Sequence, residues 1–337
     1  MKTAWLLLLL PLAAQGACPD AATLCATFDL DSTRIDGPEA TSVISLRGLR
    51  GKDLAWDIVN KLAPGKADPS RIRLVDMGGR RGGVLEVTTL DDDRCVESGS
   101  CSAHTWERSE IGFTAGRAEP TDAVDGAEQW WAHSVYFPKA FQIAAGDGKS
   151  SIFMQFHNGR GPAIELAVYN QYGRNRGPVF RVQAKGPNPA MDPYGRRPYQ
   201  DGTQYHYQAA GAQIKKGQCI HAPVRSERWY DFVHHIRWSS NGQGVHRIWM
   251  REEGGPLKLV LDRKGLSLLY PPGDRSGGRS HAFFRIGTYH DPVVPGVSSV
   301  RHDRVVRGES YDAVRMPDMP QRLPAGLSLC AGAALEH

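Results

Sequence analysis

The stretch Trp229–Trp238 (WYDFVHHIRW) constrains this chain more than any other. Tyr230, Phe232, His234, Ile236 and Trp238 fall on one side of an extended backbone. Trp229, Asp231, Val233, His235 and Arg237 fall on the other, which is the period of a strand. Ser239-Ser240-Asn241-Gly242 then supplies turn chemistry and Val245–Met250 returns, so the spacing predicts a β-hairpin. The same alternation recurs between turn signals at Gly83–Thr89, Thr105–Phe113, Gln129–Phe137, Ser151–His157, Ala163–Tyr169, Val179–Ala184, Gly244–Arg251 and Ala282–Tyr289. With 37 glycines and 22 prolines spread along the chain, long helices have no room. One amphipathic helix is expected, over Lys52–Leu62 (KDLAWDIVNKL), ending before Ala63-Pro64-Gly65. Many short strands and few short helices describe an all-β sandwich or barrel.

The N-terminus carries Met1-Lys2, an apolar run over Ala4–Ala14 and a small-residue exit at Ala14-Gln15-Gly16-Ala17. That is the form of an export signal over residues 1–17, too short to span a bilayer. Cys18 raises a lipoprotein alternative, against which Gln15 stands where an aliphatic residue is preferred. The expectation is a secreted or periplasmic protein whose residues 18–334 form a single domain. Leu335-Glu336-His337 reads as a tag remnant. Six cysteines in an exported chain favour disulfides over metal ligation. Cys95 and Cys101, flanking Glu-Ser-Gly-Ser, are the first candidate pair; Cys18, Cys25, Cys219 and Cys330 leave three connectivities open. The net charge is +5, with the basic residues dispersed rather than in blocks. That argues against a nucleic-acid partner, and the apolar segments give no membrane partner. A monomer is expected. Arginine-rich composition suits recognition of carboxylate or sulfate by the guanidinium fork, and a GC-rich genome is the plain alternative.

Three segments remain to be explained: Arg108-Ser109-Glu110, Gln155-Phe156-His157-Asn158 and Phe284-Arg285-Ile286-Gly287-Thr288-Tyr289. With Glu128–Pro138 between the first two and Trp229–Trp238 before the third, their order resembles the heparin-lyase-I-like and glucuronan-lyase-like polysaccharide lyases. Alginate lyases of the same jelly-roll fold carry comparable Arg-x-Glu, Gln-x-His and Tyr-Phe-Lys-x-Gly-x-Tyr segments. The resemblance runs from about Leu85 to His290. It implies a concanavalin-like β-jelly roll with a concave sheet that holds an acidic polysaccharide. Arg285 replaces the usual lysine and keeps its charge, and the stretch before about residue 80 has no counterpart.

The chemistry so implied is β-elimination at a 4-linked uronate. The C5 proton is weakly acidic until the neighbouring carboxylate is neutralised, the physics of an oxyanion hole. Gln155, Asn158 and Arg108 are candidates for that neutralisation. Gln155 and His157 are two apart and share a strand face. His157 and Tyr289 are the candidate base and acid, with Arg108 or Arg285 expected to lower the tyrosine pKa. Where H5 and O4 lie on the same side, Tyr289 serves both roles; where they lie on opposite sides, His157 is the base and Tyr289 the acid. Glu110, Arg285, Arg196, Arg197, Tyr199, Tyr205 and His235 complete the substrate-binding candidates. The structural alternatives are an Arg108–Glu110 ion pair, a packing role for Tyr289 and a solvated loop around Arg196. This chemistry requires no cofactor and no metal, while a structural calcium on loop oxygens is compatible with the sequence. Two other functions compete: a non-catalytic carbohydrate-binding jelly roll, and a glycoside hydrolase. The latter needs a pair of flanking carboxylates, and no such pair at strand spacing is present.

Overall fold

In the computed structural model the described residues are 19–26, 28, 34–35, 43–47, 53–58, 61–63, 66–67, 69–79, 81–90, 107–113, 123–143, 149–158, 162–170, 178–184, 205–207, 224–273, 280–291 and 296–326. The first strands are β1 (Leu24–Ala26), β2 (Arg34–Ile35), β3 (Val43–Arg47), β4 (Asp53–Ile58), β5 (Lys61–Ala63) and β6 (Lys66–Ala67). A 3-10 turn at Pro69–Arg71 leads into β7 (Ile72–Asp76), β8 (Gly83–Leu90), β9 (Glu107–Phe113) and β10 (Ala123–Val124). Next come β11 (Glu128–Phe137), β12 (Ser150–His157), β13 (Pro162–Tyr169), β14 (Val179–Ala184) and β15 (Tyr205–Tyr207). The last are β16 (Arg228–Arg237), β17 (Gly244–Glu252), β18 (Lys258–Leu266), β19 (His281–His290) and β20 (Val297–Gly308), followed by the one-turn helix α1 (Tyr311–Val314).

The strands form two large antiparallel sheets, a jelly-roll sandwich. One runs β15-β14-β13-β12-β19-β9-β4-β3-β2, with β10 also on β19. The other runs β18-β17-β16-β11-β20-β8-β7, with β1 also on β20. The neighbours are distant in sequence, such as β12 beside β19 and β11 beside β20, as expected when strands return by long connections. The core between the sheets takes Ile111, Met154, Phe156, Phe284 and Ile286 from the first and Leu85, Trp131, Tyr230, Phe232 and Val300 from the second. Burial of each such side chain stabilises the fold by about 1.5–3 kcal/mol. A smaller apolar cluster lies on the outer face of the second sheet, where Val233, Trp249, Leu259 and Val306 meet Tyr311, Val314, Met316 and Met319.

The hairpin forms as its alternation predicts: Tyr230, Phe232, Ile236 and Trp238 enter the inter-sheet core, and Val233 faces the outer cluster. Trp131 points inward and Trp130 outward, stacked on His235 at 4.4 Å. The helix expected at Lys52–Leu62 is absent. Residues Asp53–Ile58 are strand β4, paired with β3 and β9. The Leu-Ala-Trp-Asp-Ile pattern satisfies either period, and pairing with two neighbours decides for the strand.

On the outer face of the second sheet a buried charged network is internally paired. Asp231 accepts from Arg81 at 3.0 Å, Arg251 at 2.7 Å and Ser134 at 2.5 Å, and Arg251 continues to Asp318 at 2.8 Å. Burial alone would raise the Asp231 pKa, but the two guanidiniums outweigh it and hold it low. Between the sheets, His133, His234 and His246 form a chain with N···N separations of 3.2 and 3.1 Å. No described cysteine carries a free thiol. The Cys95–Cys101 pairing and residues 1–17 and 335–337 lie outside the described residues.

Candidate active site

Three adjacent strands of the first sheet build the site, because alternation sends every second residue to the face away from the core. On β19, Phe284, Ile286 and Thr288 turn inward, so Arg285, Gly287 and Tyr289 take the face away from the core. The register sets Tyr289 opposite Arg108, Gly287 opposite Glu110, and Arg285 opposite Gly112. On β12, Phe156 turns inward and Gln155 stands between Arg285 of β19 and Glu165 of β13.

Direct contacts join these residues. Arg108 Nε donates to Glu110 Oε2 at 2.6 Å, and Gln155 Nε2 donates to Glu110 Oε1 at 2.5 Å. The Arg108 guanidinium lies over the Tyr289 ring, 5.1 Å from its centroid. One strand further, Arg181 pairs with Glu165 at 2.8 Å and lies 5.2 Å from the Tyr169 ring centroid. Arg285 covers the Phe283 ring at 4.7 Å, and the His157 ring packs against the same phenylalanine at 5.3 Å. Lys149 and Asp291 close the end of the strand pair at 2.9 Å.

Two glycines make room. A Cβ on Gly287, where φ is +151°, would stand 2.3 Å from Ser109 O and 2.9 Å from Glu110 Cγ. A Cβ on Gly112 would stand 2.6 Å from Arg285 Cγ. Side chains at these positions would displace Glu110 and Arg285. The glycine of the Arg-Ile-Gly-Thr-Tyr segment is therefore a floor for the Arg108–Glu110–Gln155 cluster.

The structure brings Arg108, Glu110, Gln155 and Tyr289 together and sets Arg285 in the same row. His157 shares the β12 strand but sits opposite Phe283, whereas Tyr289 sits opposite Ile152. Five positions along β12 separate the two rows, roughly 17 Å at the strand rise. His157 and Tyr289 are thus not a hydrogen-bonded pair. Asn158 is buried immediately after β12. Arg196, Arg197 and Tyr199 lie outside the described residues, as does the Tyr205 side chain.

Two expectations need correction. His235 belongs to β16 of the second sheet, bonded to Glu128 at 2.5 Å and stacked on Trp130 on its outer face, away from Gln155. The β16 alternation alone does not say which sheet carries the site. Tyr289 is not lowered in pKa. Burial pushes its phenol up, Arg108 pulls it down, and Glu110, Glu165 and Asp291 push up again, so the net direction is upward. Sequence reasoning missed Glu165 and Arg181. A carboxylate within the apolar strand Pro-Ala-Ile-Glu-Leu-Ala-Val-Tyr is the signal that marks the first. Among the described residues no cluster of three or more His, Cys, Asp or Glu could hold a metal ion.

A family model for polysaccharide lyases matches residues 51–306, a span that takes in every residue of the site just described and most strands of both sheets. The chain belongs to this polysaccharide lyase family. It is an enzyme of that class, and the match extends into the N-terminal stretch for which the motifs gave no counterpart. Among solved structures it is similar to an endo-β-1,4-glucuronan lyase from the fungus Trichoderma reesei. Identity there is 14%, with 89% of this chain and 100% of that chain covered and a TM-score of 0.49. It is also similar to the alginate lyase from Klebsiella pneumoniae, at 12% identity, 76% and 95% coverage and a TM-score of 0.44. The alginate lyase from Aplysia kurodai follows at 11% identity, 71% and 87% coverage and a TM-score of 0.40. No curated protein sequence matches significantly.

Proposed function

We propose that this lyase cleaves a 4-linked uronic-acid polysaccharide by β-elimination, leaving an unsaturated uronate at the new non-reducing end. The observation that carries the reading is the cluster on β9, β12 and β19: a guanidinium, an amide and a phenol on the sheet face away from the core, joined by one buried carboxylate. Arg108, Arg181 and Arg285 stand against Glu110 and Glu165, so this face carries a formal excess of one positive charge toward a polyanion.

Gln155 and Arg108, with Arg285 opposite Gln155 on β19, hydrogen-bond the substrate carboxylate. They stabilise the charge that develops there when C5 loses its proton. The C5–H bond breaks toward the base, the C4–C5 double bond forms, and the C4–O4 bond breaks as O4 accepts a proton. Tyr289 rests as a phenol, because burial outweighs Arg108, and it therefore holds the proton that O4 needs. Where H5 and O4 lie on opposite sides, His157 takes H5 from the far side. Where H5 and O4 lie on the same side, Tyr289 first gives its proton to solvent, with Arg108 stabilising the phenolate, and the phenolate then takes H5 and passes that proton to O4.

Incubation with glucuronan, alginate, heparin, heparan sulfate and chondroitin, followed by ultraviolet absorbance of the unsaturated product, tests the reaction. An absorbance rise on at least one polymer is expected, and silence across the panel overturns it. Residues 1–17 read as an export signal, supported by their charge and apolar pattern. N-terminal sequencing of protein recovered from periplasm or medium should begin near Ala17 or Cys18.

A further inference from the structure

Resting on the lyase reading above, we propose that Glu110 is a positioning residue whose buried carboxylate sets the orientation of Gln155 and Arg108 toward the substrate carboxylate. Glu110 has no exposed surface, and each of its oxygens already accepts a short hydrogen bond, from Gln155 at 2.5 Å and from Arg108 at 2.6 Å. It is therefore not a substrate ligand, which revises the expectation drawn from the sequence.

An ionised carboxylate only accepts hydrogen bonds, so it compels Gln155 to present Nε2 rather than Oε1. One N–H of that amide goes to Glu110 and the second is left to donate to a substrate carboxylate. Arg108 spends Nε on Glu110, and among the described residues no hydrogen bond takes its terminal nitrogens. A negative charge next to a polyanion opposes binding, so the carboxylate does not serve affinity. Its value lies in fixing two donors, with their geometry set before the substrate arrives. The missing side chain at Gly287 supports the same reading, since a Cβ there would stand 2.5 Å from Glu110 Cα.

Glu110→Gln separates this role from the alternatives. A glutamine amide both donates and accepts, so its pair with Gln155 forms in two orientations, and Arg108 loses its ion partner. The expected result is a fall in kcat of about 100-fold, with KM unchanged or lower because a repelling charge is gone. The alkaline limb of kcat/KM should also move to lower pH. Arg108 draws the Tyr289 ionisation down, and the opposing push from Glu110 is removed while those of Glu165 and Asp291 stay. A kcat within about twofold of wild type, far below the loss expected for misplaced donors, overturns the proposal. A raised KM with kcat retained does the same. Wild-type turnover on the uronan panel tests the underlying reaction separately. Should the variant not fold, or the wild type show no turnover, the side-chain amide of Gln155 in the wild type decides, assigned in the NMR spectrum by its loss in Gln155→Leu. One strongly downfield, exchange-protected proton of the pair supports the placement, and a narrow averaged pair overturns it.

Discussion

The buried histidines make acid the sharpest test of the fold. His133, His234 and His246 lie in the core between the sheets, and His302 reaches from β20 to the carbonyl of Gly287 at 3.4 Å. Burial pushes the His246 and His302 pKa values down to about 3, and holds His133 and His234 well below the ordinary imidazole range. All four are neutral in the folded protein near neutrality and titrate near 6.5 when it unfolds. Between about pH 6.5 and 3 the unfolded chain binds more protons, so the unfolding free energy falls as pH falls. Each unit below 6.5 costs about 1.4 kcal/mol per histidine. At pH 4.5, His246 and His302 together remove roughly 5 kcal/mol, against a total stability of about 5–15 kcal/mol for a typical domain. His133 and His234 act in the same direction. Asp303, raised by burial, opposes them, while Asp231, held low by its two guanidiniums, acts in the same direction as the histidines at the acid end. Urea unfolding followed by tryptophan fluorescence at pH 7.5, 6.5, 5.5 and 4.5 should show a midpoint that drops steeply below pH 6.5. Replacing His246 by Gln should flatten the slope by up to about 1.4 kcal/mol per pH unit. A midpoint constant down to pH 4.5, or a slope unchanged in His246→Gln, refutes the reasoning.

Gly287→Ala forces a Cβ to within 2.3 Å of Ser109 O at a backbone conformation that suits glycine. It should cost about 1–3 kcal/mol of stability and reduce turnover further by displacing Glu110, as read by thermal unfolding and initial rates. Arg251→Ala leaves the fully buried Asp231 with one guanidinium instead of two and cuts the bridge to Asp318. A loss of about 3–5 kcal/mol is expected, with KM unaltered in whatever folds, since this network lies on the second sheet away from Gln155.

The sequence made the hairpin at Trp229–Trp238 and the three site segments legible because each alternates cleanly, and one face of each had to be buried. It hid β20, an interior strand of the second sheet between β11 and β8. There Arg301-His302-Asp303-Arg304 reads as a polar loop. Its charges are matched only across the fold, Arg301 by Glu86 and Asp303 by Arg81, and Arg304 breaks the alternation at φ +50°. At the site, Arg108, Gln155, Arg285 and Tyr289 could be placed on shared faces by counting residues. The burial of Glu110, the Glu165–Arg181 pair and the net rise of the Tyr289 pKa depend on neighbours from distant strands, which period and spacing do not encode. His235 failed for the same reason: alternation assigns a face of a strand but not the sheet to which the strand belongs.

The central claim is that the β9–β12–β19 cluster performs a β-elimination, and one comparison tests it most directly. Initial rates of unsaturated-uronate formation should be measured for the wild type, Tyr289→Phe and His157→Ala on the polymer giving the strongest signal, with folding checked by circular dichroism. The account predicts that Tyr289→Phe, which removes only the hydroxyl that carries the proton to O4, loses about 100-fold or more in kcat while remaining folded, and that His157→Ala is also strongly impaired. A Tyr289→Phe enzyme turning over at the wild-type rate would contradict it.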